Sequence, residues 1–440
     1  MEQFFGREQE ISKLHEIQMF SLRNARFTVI TGRRRVGKTS LILKAFENEN
    51  FLYFFVSRKS EAELCSDFVE EIKQKLHIHI FGNIQRFSDI FQMIMELSKQ
   101  QHINLVIDEF QDFMRVNRSV FSDMQRIWDL NKNGARINLI VCGSVYSLMT
   151  FLFKDNKEPL FGRQTDFMTI EPFKPSVIKQ ILGVHNSKFQ YEDLLALYAF
   201  TGGVAKYVEI FMDNECFKYD TMVNYVASKN SFFTDEGKNM LIEEFGRDYG
   251  RYFEILSLIS AGHTSRGEIE SIIGCEVSGY LTRLEKDYRL ISKNRPLFQL
   301  AQNKSIRYAV DDTFLRFWFR FIYKYYYVIS ANAFDKLESI IRRDYKTFSG
   351  KILELYFKES LKESGSFTRI SSWWDRKGEN EIDIIAADDL VKSVIFIEVK
   401  RNKAEYDEEK LTLKSKRFFE VTGSYTNYDI TYKGLSMEDM

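Results

Sequence analysis

Two groups of residues in this 440-residue chain have the types and spacing of reacting groups. The first is Gly32-Arg33-Arg34-Arg35-Val36-Gly37-Lys38-Thr39-Ser40, two glycines with four residues between them, then a lysine and two hydroxyls. Glycines at that spacing let backbone N–H groups turn inward around anionic oxygens. Lys38 is placed to reach terminal phosphates, and the Thr39 hydroxyl to hold Mg²⁺. Asp108-Glu109 complements it: Asp108 as a further Mg²⁺ ligand, usually through water, and Glu109 as the general base that polarises an attacking water. Ser144 is a candidate sensor of the terminal phosphate, or else a helix N-cap. Arg163, presented by Gly162, is a candidate for stabilising transition-state charge, an effect worth about 10³ or more when fully engaged, or else half of a salt bridge. The second group is Asp383, Glu398 and Lys400, with Glu354 ahead of them. Carboxylates Glu354, Asp383 and Glu398 would bind a metal that acidifies its water and polarises a phosphate. Lys400 would orient that water or stabilise pentavalent charge. That chemistry is Mg²⁺-dependent phosphodiester cleavage.

These residues need elements to position them. A short apolar strand over 26–30 precedes the glycine loop and a helix over 41–46 follows it, the setting the motif requires. Residues 51–56 read as a second strand, 61–76 and 86–100 as helices, and 103–110 as an apolar strand ending in Asp108-Glu109. Another apolar strand, 137–142, leads to Gly143-Ser144. Further on, 252–259 is apolar at helical spacing, and Ser265 with Glu268 has the form of a capping box. Ile269, Ile272 and Ile273 would give that second helix its apolar face, with Leu281 and Leu284 inward on a third helix over 277–290. Weak alternation over 290–310, around 294–296 and 302–304, suggests a hairpin; three helices and a hairpin suggest a winged helix. The third helix balances Arg283, Lys286 and Arg289 against Glu276, Glu285 and Asp287, which favours packing over phosphate contact. In the last third, a helix over 349–357 bears Glu354, and strands are expected at 369–374, 381–386 and 394–400, with a turn through Lys377-Gly378. Alternation puts Glu381 and Asp383 on one strand face, and Glu398 and Lys400 on one face of the next. Lys410 and Lys414 on a helix over 405–420 stand beside Asp407, Glu408 and Glu409, and read most simply as a solvated mixed-charge face.

Composition bounds the partners. The 62 basic and 62 acidic residues cancel, so no global field draws the chain to nucleic acid or to a membrane. Four cysteines and six histidines are scattered without metal-ligand spacing, as in a reduced, cytoplasmic protein. The aromatic stretch 316–330 is interrupted by Arg316, Arg320 and Lys324 at four-residue spacing, one charged stripe on a packed helix and not a membrane span of about 20 apolar residues. The first residues do not read as a charged-then-apolar signal segment, so a cytoplasmic location is expected.

Phe5-Gly6-Arg7-Glu8, the loop Gly32–Thr39, Val106-Ile107-Asp108-Glu109, Gly143-Ser144 and Pro159-Leu160-Phe161-Gly162-Arg163 occur in that order. In this the chain resembles the prokaryotic archaeal-type ATPases, signal-transducing P-loop ATPases related to AAA+ and Orc-type proteins. The resemblance implies a five-stranded parallel sheet with the Asp108-Glu109 strand one strand away from the loop strand. It runs on through Thr201-Gly202-Gly203-Val204-Ala205, where members usually carry Pro in place of Ala205. Asp383, then Glu398-x-Lys400, with a helical Glu354 ahead, resembles the PD-(D/E)XK nuclease fold, and the runs 373–383 and 397–400 resemble the uncharacterised C-terminal domain that follows this ATPase type. The expected fold class is α/β: a P-loop NTPase parallel sheet (1–175), a helical lid (176–235), a winged helix (236–310) and a C-terminal restriction-endonuclease-like α/β domain (311–440). The expected function is ATP binding and hydrolysis with Mg²⁺, controlling the winged helix and a nuclease-like module acting on DNA. The alternative is an ATP-dependent switch or scaffold with an inactive nuclease fold and a protein partner. An oligomer is compatible with either.

Overall fold

The computed structural model describes residues 4–246, 249–298, 306–375 and 378–440. They divide into two compact units, 4–171 and 172–440. In the first, β1 (Arg26–Thr31), β2 (Leu52–Phe55), β3 (Ile103–Asp108), β4 (Ile137–Gly143) and β5 (Asp166–Thr169) form a sheet in the order β2-β3-β4-β1-β5. Every neighbouring pair is parallel. Strand alternation sends Phe27, Val29, Leu105, Ile107, Leu139 and Val141 into one apolar cluster, beneath helices Glu61–Leu76, Phe87–Gln100 and Ser119–Asn131. The intervening Ile30, Val106, Ile140 and Cys142 enter a second cluster, with Leu14 of helix Glu8–Ser21 and Leu41 and Ile42 of helix Lys38–Ala45. Both faces are covered, so the strands read as continuous apolar runs. Because the strands are parallel, the residues that follow β1, β3 and β4 emerge along one edge of the sheet.

The second unit begins with helices around Tyr191–Thr201, a segment buried from Asp193 to Thr201. Helix Phe233–Phe245 packs Gly237 against Trp318, whose indole N–H donates to the Thr234 carbonyl at 3.1 Å. A Cβ at Gly237 would land inside the indole ring. Gly237→Ala is therefore expected to destabilise the protein by about 1–3 kcal/mol, although alanine is the better helix former. Gly350→Ala, in helix Phe334–Ser364 with no atom within 4 Å of its Cβ, should instead be neutral or stabilising. Denaturant midpoints of the two variants test this, and equal midpoints would refute the packing argument.

Next come helices Tyr249–Ala261, Arg266–Ile273 and Ser278–Lys286, then the antiparallel pair β6 (Ile291–Asn294) and β7 (Arg307–Val310). The Ser265–Glu268 capping box forms, with Glu268 N–H donating to Ser265 Oγ at 3.3 Å and Ser265 N–H to Glu268 Oε2 at 3.2 Å. Ile269 is buried, but Ile272 is 51% exposed, which corrects the three-isoleucine face: a two-turn helix covers only one of them fully. Residues 302–304, expected in the hairpin, lie outside the described residues.

The aromatic stretch also differs from a regular four-residue stripe. Residues Trp318–Tyr323 form a π-helical turn, and Lys324 N–H donates to the Phe319 carbonyl five residues back. The wider turn breaks the expected register. Arg316 turns its guanidinium to the Val310 carbonyl, whereas Arg320 pairs with Asp344 at 3.0 Å.

A separate mixed sheet completes the chain, in the order β11-β10-β9-β8, from β8 (Arg369–Trp374), β9 (Glu381–Asp388), β10 (Ser393–Val399) and β11 (Asp429–Leu435). Pairs β8–β9 and β9–β10 are antiparallel, and β10–β11 is parallel across the crossover helix Glu408–Thr422. Helices Phe334–Ser364 and Glu408–Thr422 pack on it. Asp383 and Glu398 occupy the positions next beyond the last paired residues, Ile384 and Ile397. Of the expected turn, Lys377 lies outside the described residues.

Candidate functional site

At the shared edge of the parallel sheet the loop leaves β1 through Gly32, whose φ is 153° and whose absent Cβ leaves room for the Ile170 carbonyl. Arg35 and Gly37 take positive φ of 68° and 94°, bending the backbone before helix Lys38–Ala45 starts. Such turns point consecutive N–H groups into a concave cradle at a helix N-terminus. Lys38 is buried, and its Nζ donates to the Gly32 and Arg33 carbonyls at 2.9 and 3.0 Å. Arg7 braces the loop from outside, donating to the Val36 carbonyl at 3.2 Å and the Glu171 carbonyl at 2.7 Å.

Beside the loop stands Asp108, the last residue of β3. Its Oδ2 accepts from Thr39 Oγ1 and from Tyr53 Oη, both at 2.7 Å, and its Oδ1 from the Glu109 N–H at 2.8 Å. Burial, then the Asp108 charge, pushes the Tyr53 phenol well up, so it remains a donor. Burial likewise holds the Cys142 thiol protonated beside Asp108. Glu109 follows in a left-handed conformation, φ 51°. Its Oε2 accepts from Ser144 Oγ at 2.8 Å and Gln111 Nε2 at 2.5 Å. Thr39 and Asp108 thus bring hard oxygen donors together, a set that suits Mg²⁺.

In the second unit Glu354, Asp383, Glu398 and Lys400 gather with three further lysines. Lys400 donates to Glu398 Oε1 at 2.8 Å, and Lys414 reaches both Glu398 oxygens, Oε1 at 3.0 Å and Oε2 at 2.8 Å. Lys351 pairs with Glu354 at 2.9 Å. Lys358 donates to Ser372 Oγ at 2.7 Å, and that hydroxyl donates to the Asp383 carbonyl. Asp383 Oδ2 accepts the Val399 N–H at 2.8 Å. Burial, then Asp383, raises the Glu354 carboxyl to about 6. Burial also raises Asp383, whereas the two lysines outweigh burial and lower Glu398. Alongside lies a cavity of about 630 Å³ bordered by Lys346, Lys351, Glu354, Lys400, Arg401 and Glu192.

Residues 4–211 match the family described as an ATPase domain predominantly from Archaea, and residues 318–412 match archaeal and bacterial proteins of unknown function. The uncharacterized protein MJECL04 of Methanocaldococcus jannaschii is 30% identical over 414 residues, which is 90% of this chain and 87% of that protein. The chain belongs to this family of ATPases. Among solved structures, the Walker-type ATPase PABY2304 of Pyrococcus abyssi superposes with a TM-score of 0.52 at 19% identity, covering 72% of this chain and 96% of that one. The Aeropyrum pernix ORC2 protein, solved as ADPNP–ADP complexes, gives 0.49 at 13% identity, covering 78% and 96%.

This ATPase brings Gly32 to Ser40, Asp108, Glu109 and Ser144 to one edge of its sheet. Arg163 is not among them. Its guanidinium pairs with Asp129 at 3.2 Å, and Thr165 exchanges hydrogen bonds with Phe27, at the far end of β1 from the loop. That placement sets it apart from the phosphate loop of its own chain. Lys414 is a second correction: its side chain is only 13% exposed and holds Glu398, where a solvated face was expected. The expected metal trio is a third. Among the described residues no three His, Cys, Asp or Glu groups come together as a metal site. Both Glu398 oxygens are ion-paired with lysines, and Asp383 Oδ2 accepts a backbone N–H. Tyr53 and Gln111 were missed altogether. Tyr53 could have been found as the polar position of a strand otherwise apolar; nothing local marks Gln111.

Among the described residues no helix is long and apolar enough to cross a membrane.

Proposed function

We infer that the chain is an ATP-hydrolysing switch in which residues 32–40 cradle the phosphates, Lys38 neutralises the terminal ones, and Glu109 is the general base. The convergence of Thr39, Asp108, Glu109 and Ser144 on the loop carries this reading. Water attacks the γ-phosphorus, the bond to the bridging oxygen of ADP breaks, and the water proton passes to Glu109, leaving ADP and inorganic phosphate. Mg²⁺, held by Thr39 and Asp108, would neutralise charge developing on the phosphates. Ser144, hydrogen-bonded to Glu109, is positioned to report the terminal phosphate.

Residues 236–310 are read as a winged helix and 311–440 as a nuclease-like module. Arg283 of the third helix donates to Tyr252 at 3.3 Å, which supports packing over DNA contact. For the C-terminal module, the closed ion pairs of Glu398 support a charge-neutralised, non-cleaving fold. One observation favours the second reading, an Mg²⁺-dependent nuclease acting on DNA: Asp383 and Glu398 directly adjoin the last paired residues of β9 and β10. Incubating the full chain and Asp383→Ala with single- and double-stranded DNA, Mg²⁺ or Mn²⁺, and ATP or ADP separates them. We expect no cleavage that depends on Asp383; cutting by the wild type that Asp383→Ala loses would establish the nuclease.

A further inference from the structure

Glu109 is gripped by one oxygen. Both Gln111 and Ser144 donate to Oε2, and the backbone carrying the side chain is left-handed, a conformation costing about 1–2 kcal/mol away from glycine. A strained residue of this kind is placed by its surroundings. Gln111 is the principal neighbour. It is 3% exposed, on the turn Phe110–Asp112, and Phe110 packs edge-on or tilted against Phe113, Phe121 and Phe153, which fixes the turn.

A carboxylate only accepts, so the Gln111 amide must turn its NH₂ group to Glu109. That commits Oε1 to the opposite side. There it is buried without a hydrogen-bond partner among the described residues, over the bare Cα of Gly143, where a Cβ would overlap it. An unmet buried acceptor costs about 1–3 kcal/mol. Methionine, of similar length, would fill the space without that cost. Packing alone therefore does not explain a glutamine at this position; a donor on Glu109 Oε2 does.

We propose that Gln111 is a positioning residue for ATP hydrolysis. Together with Ser144 it anchors one oxygen of Glu109 and leaves the other to receive the proton of the attacking water. The proposal rests on the reading of Glu109 as general base. It concerns a residue two positions from Glu109, on a turn with no motif signature.

Steady-state ATP hydrolysis by the full chain with Mg²⁺ tests it, using Gln111→Met, Glu109→Gln and the double variant. Gln111→Met should lower kcat by about 10- to 100-fold, the scale of a misplaced catalytic group, with KM changed by less than about twofold and a thermal midpoint no lower than wild type. Added to Glu109→Gln it should cost nothing further, because the group it orients is gone. Gly143→Ala, which displaces the same amide by crowding Oε1 and Met149 Sδ, should also lower kcat selectively. An unchanged kcat in Gln111→Met would overturn the proposal. So would a parallel rise in KM with a lower midpoint, which marks a structural role, or full additivity in the double variant. Wild-type turnover by Glu109→Gln would instead remove the base assignment, whatever Gln111→Met does.

Discussion

Glu109→Gln should hydrolyse ATP about 10²- to 10⁴-fold more slowly than wild type, the usual contribution of a positioned general base, while binding ATP with little change. The substitution is nearly isosteric, and the amide oxygen can still accept from Ser144 or Gln111, so the left-handed turn at Glu109 keeps its support. What disappears is the capacity to take a proton. Asp108 cannot substitute: its two oxygens accept from Thr39, Tyr53 and the Glu109 backbone. Single-turnover hydrolysis with pre-bound ATP reads the chemical step directly. A normal rate there would move the base to another group.

Lys38→Ala should abolish detectable turnover and weaken ATP binding by about 10²-fold or more, since charge-assisted hydrogen bonds are worth about 1.5–3 kcal/mol each and Lys38 supplies more than one. The cradle would persist, because its shape comes from Gly32, Arg35 and Gly37 and from Arg7 bracing Val36. Equilibrium titration with a fluorescent ATP analogue, alongside circular dichroism for folding, distinguishes a lost ligand contact from a lost fold. ATP affinity equal to wild type would show that the loop does not hold the terminal phosphates.

The phosphate edge was legible in the sequence because its signals are local. Glycine spacing dictates the loop, and apolar runs of four to seven residues mark strands that are buried on both faces. The partners of Tyr53 and Lys414 were not legible, because the chain brings them to Asp108 and Glu398 only on folding, and Gln111, only two residues from Glu109, sits on a turn that no motif marks. Lys414 shows why: its acidic neighbours suggest a solvated face, but the helix lies beside β10 and turns the ammonium to Glu398. Arg163 lies away from the loop for a topological reason. A parallel β5 must begin at the same end as β1, so the segment before it returns to the edge opposite the phosphates. At 318–323 a wide turn displaced the charged stripe by inserting a residue that no spacing rule anticipates.

The strand order carries a consequence for how the protein is made. β1, which bears the phosphate loop, is among the first strands to leave the ribosome, yet it lies between β4 and β5. Phe27 and Thr165, which hydrogen-bond across that last pairing, are 138 residues apart. At a translation rate of about 5–20 residues per second, β1 waits roughly 7 to 28 s for its second neighbour. Neither edge of β1 is paired until β4 is made, and the edge that β5 covers stays open until residues 166–169 are synthesised, so the nascent nucleotide unit keeps a strand edge open to misassociation, and to protection by chaperones, throughout that interval.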